Sequence, residues 1–173
     1  LRSSYKTVVL RMLPQARLTA DRFHVETLVR RAVDEIRTVV QTEARGSRIN
    51  LKKLLWTNKH QLNEHEKIKL ETAFKKYEHY PVLKQSWLIK EKIIHMYRAP
   101  TAVEANKRFR HVIMLLETND YSHYLTVLRG TLQKWQQPIL NYFINKTTIG
   151  FTEACHTKIK MNKRVSYGFR NIN

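Results

Sequence analysis

Residues 147–173 read TTIGFTEACHTKIKMNKRVSYGFRNIN and set one acid, Glu153, among lysines and arginines. If a helix begins near Gly150, positions seven and eleven residues after Glu153 return to nearly the same azimuth, since a helix has about 3.6 residues per turn. Lys160 and Arg164 then stand beside the acid, while Phe151, Cys155 and Ile159 form an apolar stripe on another side. Such a helix docks through its stripe and presents one carboxylate flanked by cations. That arrangement suits a divalent metal held next to a phosphate backbone. An ordinary surface helix with one internal ion pair has the same spacing, so the pattern alone leaves both readings open.

The positive charge extends beyond this segment. Across 173 residues, Lys and Arg number 32 against 14 Asp and Glu, a formal net charge of +18, and the sequence pI is about 10.2. This excess points to a polyanionic partner. The cations are spread through helical segments and not gathered in one amphipathic anchor, which favours nucleic acid over a membrane surface. No apolar run approaches the roughly 20 residues that span a bilayer, and no leading segment resembles a signal peptide, so a soluble cytoplasmic protein is expected. With 42% hydrophobic residues the chain has enough material for a core. Cys155, the single cysteine, excludes an internal disulfide and reads as a small core residue.

Only four glycines and four prolines punctuate the chain, which predicts long helices with few turns. Ser4 can cap a short helix that Pro14 ends. Residues 16–20 read as the one strand. Asp21 then caps a helix carrying Phe23, Leu28, Ala32, Val33, Ile36, Val39 and Val40, broken at Arg45, Gly46 and Ser47. A lone strand cannot satisfy its own backbone, so it either pairs with strands outside this chain or is not a strand. From Ile49 to Trp135 the periodicity is helical. Asn63 is a cap, Pro81 fits a first turn, and Thr101 with Glu104 spells a capping box. Pro138 starts the apolar piece ILNYFI, which fits helix or strand. The fold class from these patterns is mainly α.

A second cluster, Asp21-Arg22-Phe23-His24, places an acid and an imidazole three residues apart at the entry to a helix. There they can share a metal, a proton or a hydrogen bond, or can simply be a cap and a satisfied histidine. His60, His65, His79 and His95 lack partner ligands at zinc spacing. The absence of a Gly-rich phosphate loop, a nucleophile elbow and HExxH leaves dinucleotide, kinase and familiar hydrolase readings without support.

Together, ADRFHVETLVRRAVDEIR and the segment around FTEACHTKIKMNKRVSYGFRN resemble the catalytic domain of bacterial insertion-sequence transposases of the DDE type. The resemblance is to the subgroup with a DRFH segment and a final TNGxTEGxNxKIKxxKRxxYGFRN-like helix, and it covers nearly the whole chain. It implies a ribonuclease H-like fold in which two aspartates on strands and one glutamate on a late helix hold two Mg²⁺ ions for phosphodiester cleavage and strand transfer. Glu153 falls on that catalytic, metal-binding glutamate. Asp21 and His24 fall on an accessory Asp-x-x-His element. Lys158, Lys160 and Arg164 fall on the basic positions that follow the glutamate, and Arg170 lies in the GFRN tail, all implied DNA contacts.

The implied organisation is a partial ribonuclease H-like α/β core with a truncated sheet at 1–45, an all-helical insertion at 46–146, and the glutamate helix with its basic tail at 147–173. Thr148, Ile149 and His156 depart from the family pattern. The pattern also places its two aspartates upstream of Leu1, so the chain is expected to be the C-terminal part of a transposase, inactive alone and bound to DNA at the nucleoid. Two other readings stay open: half of a split gene whose N-terminal half acts in trans, and a regulatory DNA-binding fragment that competes with full-length transposase. Apolar surface without its sheet is expected to promote self-association.

Overall fold

The computed structural model describes residues 3–44, 50–118, 122–145 and 150–165. In chain order they form α1 (Ser3–Met12), α2 (Arg22–Glu43), α3 (Lys52–Trp56), a 3₁₀ turn (Lys59–Gln61), α4 (Glu64–Lys76), α5 (Pro81–Met96), α6 (Ala102–Thr118), α7 (His123–Lys134), α8 (Gln136–Asn145) and α9 (Gly150–Val165). The mainly α class is therefore observed.

Local chemistry explains several helix starts. Asp21 sits in extended backbone and its Oδ1 accepts the Phe23 N–H at 2.8 Å, an N-cap for α2. Asn63 and Glu66 form a reciprocal box at α4: the Glu66 N–H donates to Asn63 Oδ1 at 2.8 Å, and the Asn63 N–H donates to Glu66 Oε2 at 3.1 Å. Pro81 occupies the first turn of α5, and Thr101 Oγ1 accepts the Glu104 N–H at α6. ILNYFI is helical, within α8. Ser4 is not a cap, because α1 already includes Ser3.

Residues 16–20 are a correction. No strand is present among the described residues, and this segment joins no ladder. Two of its backbone groups pair with α8 instead: the Ala20 N–H donates to the Pro138 carbonyl at 2.8 Å, and Asn141 Nδ2 donates to the Leu18 carbonyl at 2.8 Å. For these two groups the partner is α8 and not a neighbouring strand.

α2 is the central helix. Val25, Val29, Val33, Ile36 and Val40 recur every three or four residues and are all buried, and the helix packs against α3, α5 and α7. α5 packs on α6, and α6 on α7 and α8. One hydrophobic core runs from Ala20 to Phe143, with Phe74 tilted against Trp87 and Tyr97 held between Tyr142 and Phe143. α3 is too short to hold itself, and cations from its neighbours meet its C-terminal carbonyls. Lys90 of α5 donates to the carbonyls of Leu55 and Thr57, and Arg30 of α2 donates to that of Trp56.

The two outer helices differ from this body. Val8 and Met12 of α1 are exposed, as are Ile159, Met161 and Val165 of α9, and no described residue of either helix belongs to the core. Cys155 is half-buried and also lies outside the core.

Candidate nucleic-acid interface

α9 begins at Gly150, as its sequence suggests, and continues unbroken to Val165. The backbone of Glu153 lies in its first turn; Lys163 and Arg164 close its last turn, where cations complement the helix dipole. The continuous helical backbone puts Glu153, Lys160 and Arg164 on one face, because seven and eleven residues are close to two and three whole turns. Lys158, Lys160, Lys163 and Arg164 are all exposed. The Glu153 side chain and the whole of Arg170 lie outside the described residues.

The second cluster stands at the head of α2. Asp21 is buried, whereas His24 is exposed with its Nδ1 3.6 Å from Asp21 Oδ1. That carboxylate oxygen therefore serves the cap and faces the imidazole together. Glu26, one turn further, is buried between Arg22 at 3.5 Å and Arg30 at 3.0 Å. Tyr97, just past α5, completes the surroundings. Burial, with the Glu26 and Asp21 carboxylates near it, pushes its phenol well above the ordinary tyrosine value. The Tyr97 hydroxyl is buried with no hydrogen-bond partner among the described residues. Nothing in its sequence context marks Tyr97 as a neighbour of the DRFH segment, since the approach is made by tertiary packing.

The donor set bears directly on the metal chemistry that the glutamate suggests. Among the described residues no group of three His, Cys, Asp or Glu side chains can hold a metal ion. The aspartates of the chain are Asp21, Asp34 and Asp120. Asp21 is committed to its cap. Asp34 is committed to Arg37 at 2.7 Å and Lys52 at 3.1 Å; burial works against its carboxylate, but these two cations outweigh it and hold the carboxyl below its usual value. Asp120 lies outside the described residues. The described side chains thus do not fit a two-metal site by themselves. What they offer is a helix with exposed cations and an aspartate–histidine pair at the N-cap of α2.

Folding also joins residues that the sequence kept apart. His60 and His95, which have no ligand spacing between them, line one cavity with Arg98. Among the described residues no helix is long and apolar enough to cross a membrane.

A family model described as a transposase, of the DDE type and the ISL3 group, matches residues 1–173. No curated protein and no solved structure matches the chain.

Proposed function

The chain belongs to the ISL3-type DDE transposase family, and from that premise we propose that it forms the C-terminal part of a catalytic domain that cuts and joins DNA by two-metal chemistry. Membership carries the coarser statement directly: the chain is of a family that acts in DNA transposition, has DNA as partner and generally uses a divalent metal. The finer reading is that Glu153 is the third metal-binding acid, with Mg²⁺ as the ion. The two aspartates that complete the set are supplied by strands that are not among the described residues and that form a ribonuclease H-like core with 1–45 and 147–173, while 46–146 is the helical insertion.

The observation that carries this reading is the register of α9. The unbroken helix keeps the one acid of the segment on a face with Lys160 and Arg164, while Lys158 and Lys163 are exposed elsewhere around the helix. On this reading Lys160 and Arg164 hold phosphate oxygens next to Glu153, and Lys158 and Arg170 are further phosphate contacts. Asp21 fixes the start of α2 and keeps His24 at one place on the surface, as an accessory pair. The exposed apolar residues of α1 and α9 suit helices that cover a sheet. On this reading residues 1–173 alone neither nick nor join DNA, because one carboxylate offers too few oxygens for two cations.

The test uses the complete enzyme, with the aspartate-bearing strands restored. Glu153→Gln should abolish cleavage in Mg²⁺ while leaving duplex binding nearly unchanged, since it removes a metal ligand at constant shape. Cleavage at the normal rate by that variant would return α9 to the standing of an ordinary surface helix.

A further inference from the structure

The solvent side of α5 carries Lys92 and His95, and Arg98 follows just beyond its end; all three are exposed. A cavity of about 650 Å³ opens over them and is bounded on its far side by Lys59, His60 and Lys67. A second cavity of about 270 Å³ shares Lys92 and His95 and runs on across α6 to Lys107, Arg108 and His111. The two make one cationic strip, and none of the residues lining it belongs to α9.

The acids within the strip are already engaged. Glu91 Oε1 lies 2.8 Å from Lys90 Nζ and accepts the Lys59 N–H at 3.1 Å, and Glu104 Oε1 accepts Arg108 Nε at 2.8 Å. Lys67 is paired with Glu64. Lys92, Arg98 and Lys107 have no carboxylate partner among the described residues. Arg98 Nη2 instead lies 2.8 Å and 3.0 Å from the two nitrogens of His60, an approach that brings no negative charge. Desolvation, followed by Arg108, Lys92 and Arg98, holds the His95 imidazole below its ordinary value, and Glu104 offsets this only in part. The side chains lining the strip carry a net positive charge, which Glu91 and Glu104 offset only in part.

Shape selects among anions. A single small phosphate is best held by cations converging on one point, and these do not converge. From Lys92 to Arg98 the helix axis advances roughly 9 Å, and α6 adds a further helix spacing of about 8–10 Å. Such a span covers several phosphates of one strand, spaced about 3.4 Å along the axis.

We infer that the α5–α6 strip is a second contact for the phosphate backbone of duplex DNA, separate from the basic face of α9. The inference rests on the reading of the chain as a DNA-acting transposase, and adds a place where the helical body itself grips the substrate. Because its contacts are to phosphates, the strip positions the duplex without reading its sequence.

The experiment measures binding of a short mixed-sequence duplex to the full chain as a function of salt, with three triple variants. The strip variant is Lys92→Ala, Arg98→Ala and Lys107→Ala; the α9 variant is Lys158→Ala, Lys160→Ala and Arg164→Ala; the control removes the exposed cations Arg31, Lys53 and Lys69 in the same way. The strip variant should lower the slope of log affinity against log salt by about 2–3, and the control by less than about one. A photocrosslinker placed by Lys92→Cys in a Cys155→Ser background should capture the labelled duplex, with excess unlabelled duplex but not inorganic phosphate abolishing capture. A strip variant that behaves as the control does, or capture abolished by inorganic phosphate alone, would overturn the inference. If the α9 variant still lost its slope in that case, the DNA-acting reading would stand and only the second contact would fall.

Discussion

The ammonium of Lys90 donates to the carbonyl of Leu55 at 2.7 Å, joining α5 to the last turn of α3 from a position that is almost wholly buried. The same Nζ donates to the Thr57 carbonyl at 2.8 Å and meets Glu91 Oε1 at 2.8 Å, so three acceptors match its three donors. Burial lowers its proton affinity and Glu91 restores part of it. Lys90→Met keeps the aliphatic stem but takes the ammonium away from two carbonyls and leaves Glu91 Oε1 with the Lys59 N–H alone. It is expected to cost about 3 kcal/mol in urea unfolding. A loss below about 1 kcal/mol would mean that solvent reaches the end of α3 and takes over these bonds.

Asp34 provides a pH signature. Its folded carboxyl lies below the ordinary value of 3.8, held there by Arg37 and Lys52 against the effect of burial. The unfolded chain therefore takes up this proton first, and the stabilisation is complete above 3.8 and lost as pH falls through the folded value. Asp34→Asn should lower stability near neutrality by about 0.5–1 kcal/mol, with the gap to the parent protein closing under strong acid. A gap that widened on acidification would contradict the pairing.

Asp21 separates a structural role from a chemical one. Asp21→Ala removes the oxygen that accepts the Phe23 N–H and should cost about 1 kcal/mol, or about 2–4 °C in Tm for a chain of this size. Asp21→Asn keeps an acceptor in the same place and should stay near the parent value. Equal losses in the two variants, measured by thermal unfolding, would show that the charge facing His24 matters more than the cap.

How much of this was legible in the sequence depends on the range of the interaction. The caps at Asp21, Asn63 and Thr101 and the turn at Pro81 act within three residues of themselves, and each is where the sequence implies. Residues 16–20 misled because their satisfaction comes from Pro138 and Asn141, more than a hundred positions away, which no local pattern contains. Lys90 was equally hidden, since a lysine among apolar helix positions looks like a solvated face until its three acceptors are in place. At the candidate site the register of Glu153 with Lys160 and Arg164 follows from helix geometry alone. The meeting of His60, His95 and Arg98 depends on how the 3₁₀ turn packs on α5, and spacing does not predict it.

The last prediction concerns how α9 meets DNA. Its exposed cations have no built pocket for a base edge among the described residues, so binding should come from phosphates and release of their counterions. Affinity should fall steeply with salt and differ little between unrelated duplexes. Lys160→Ala should lower the salt slope by about one phosphate's worth, close to 0.9, because the residue stands on the face that the backbone is proposed to follow. Glu153→Gln should leave the slope unchanged or raise it slightly, since it removes a negative charge from that face and no cation. Two results would count against this account: a salt-independent isotherm, and a strong preference for one duplex sequence. Either would mean that α9 recognises bases or another partner, and that its charge is incidental to binding.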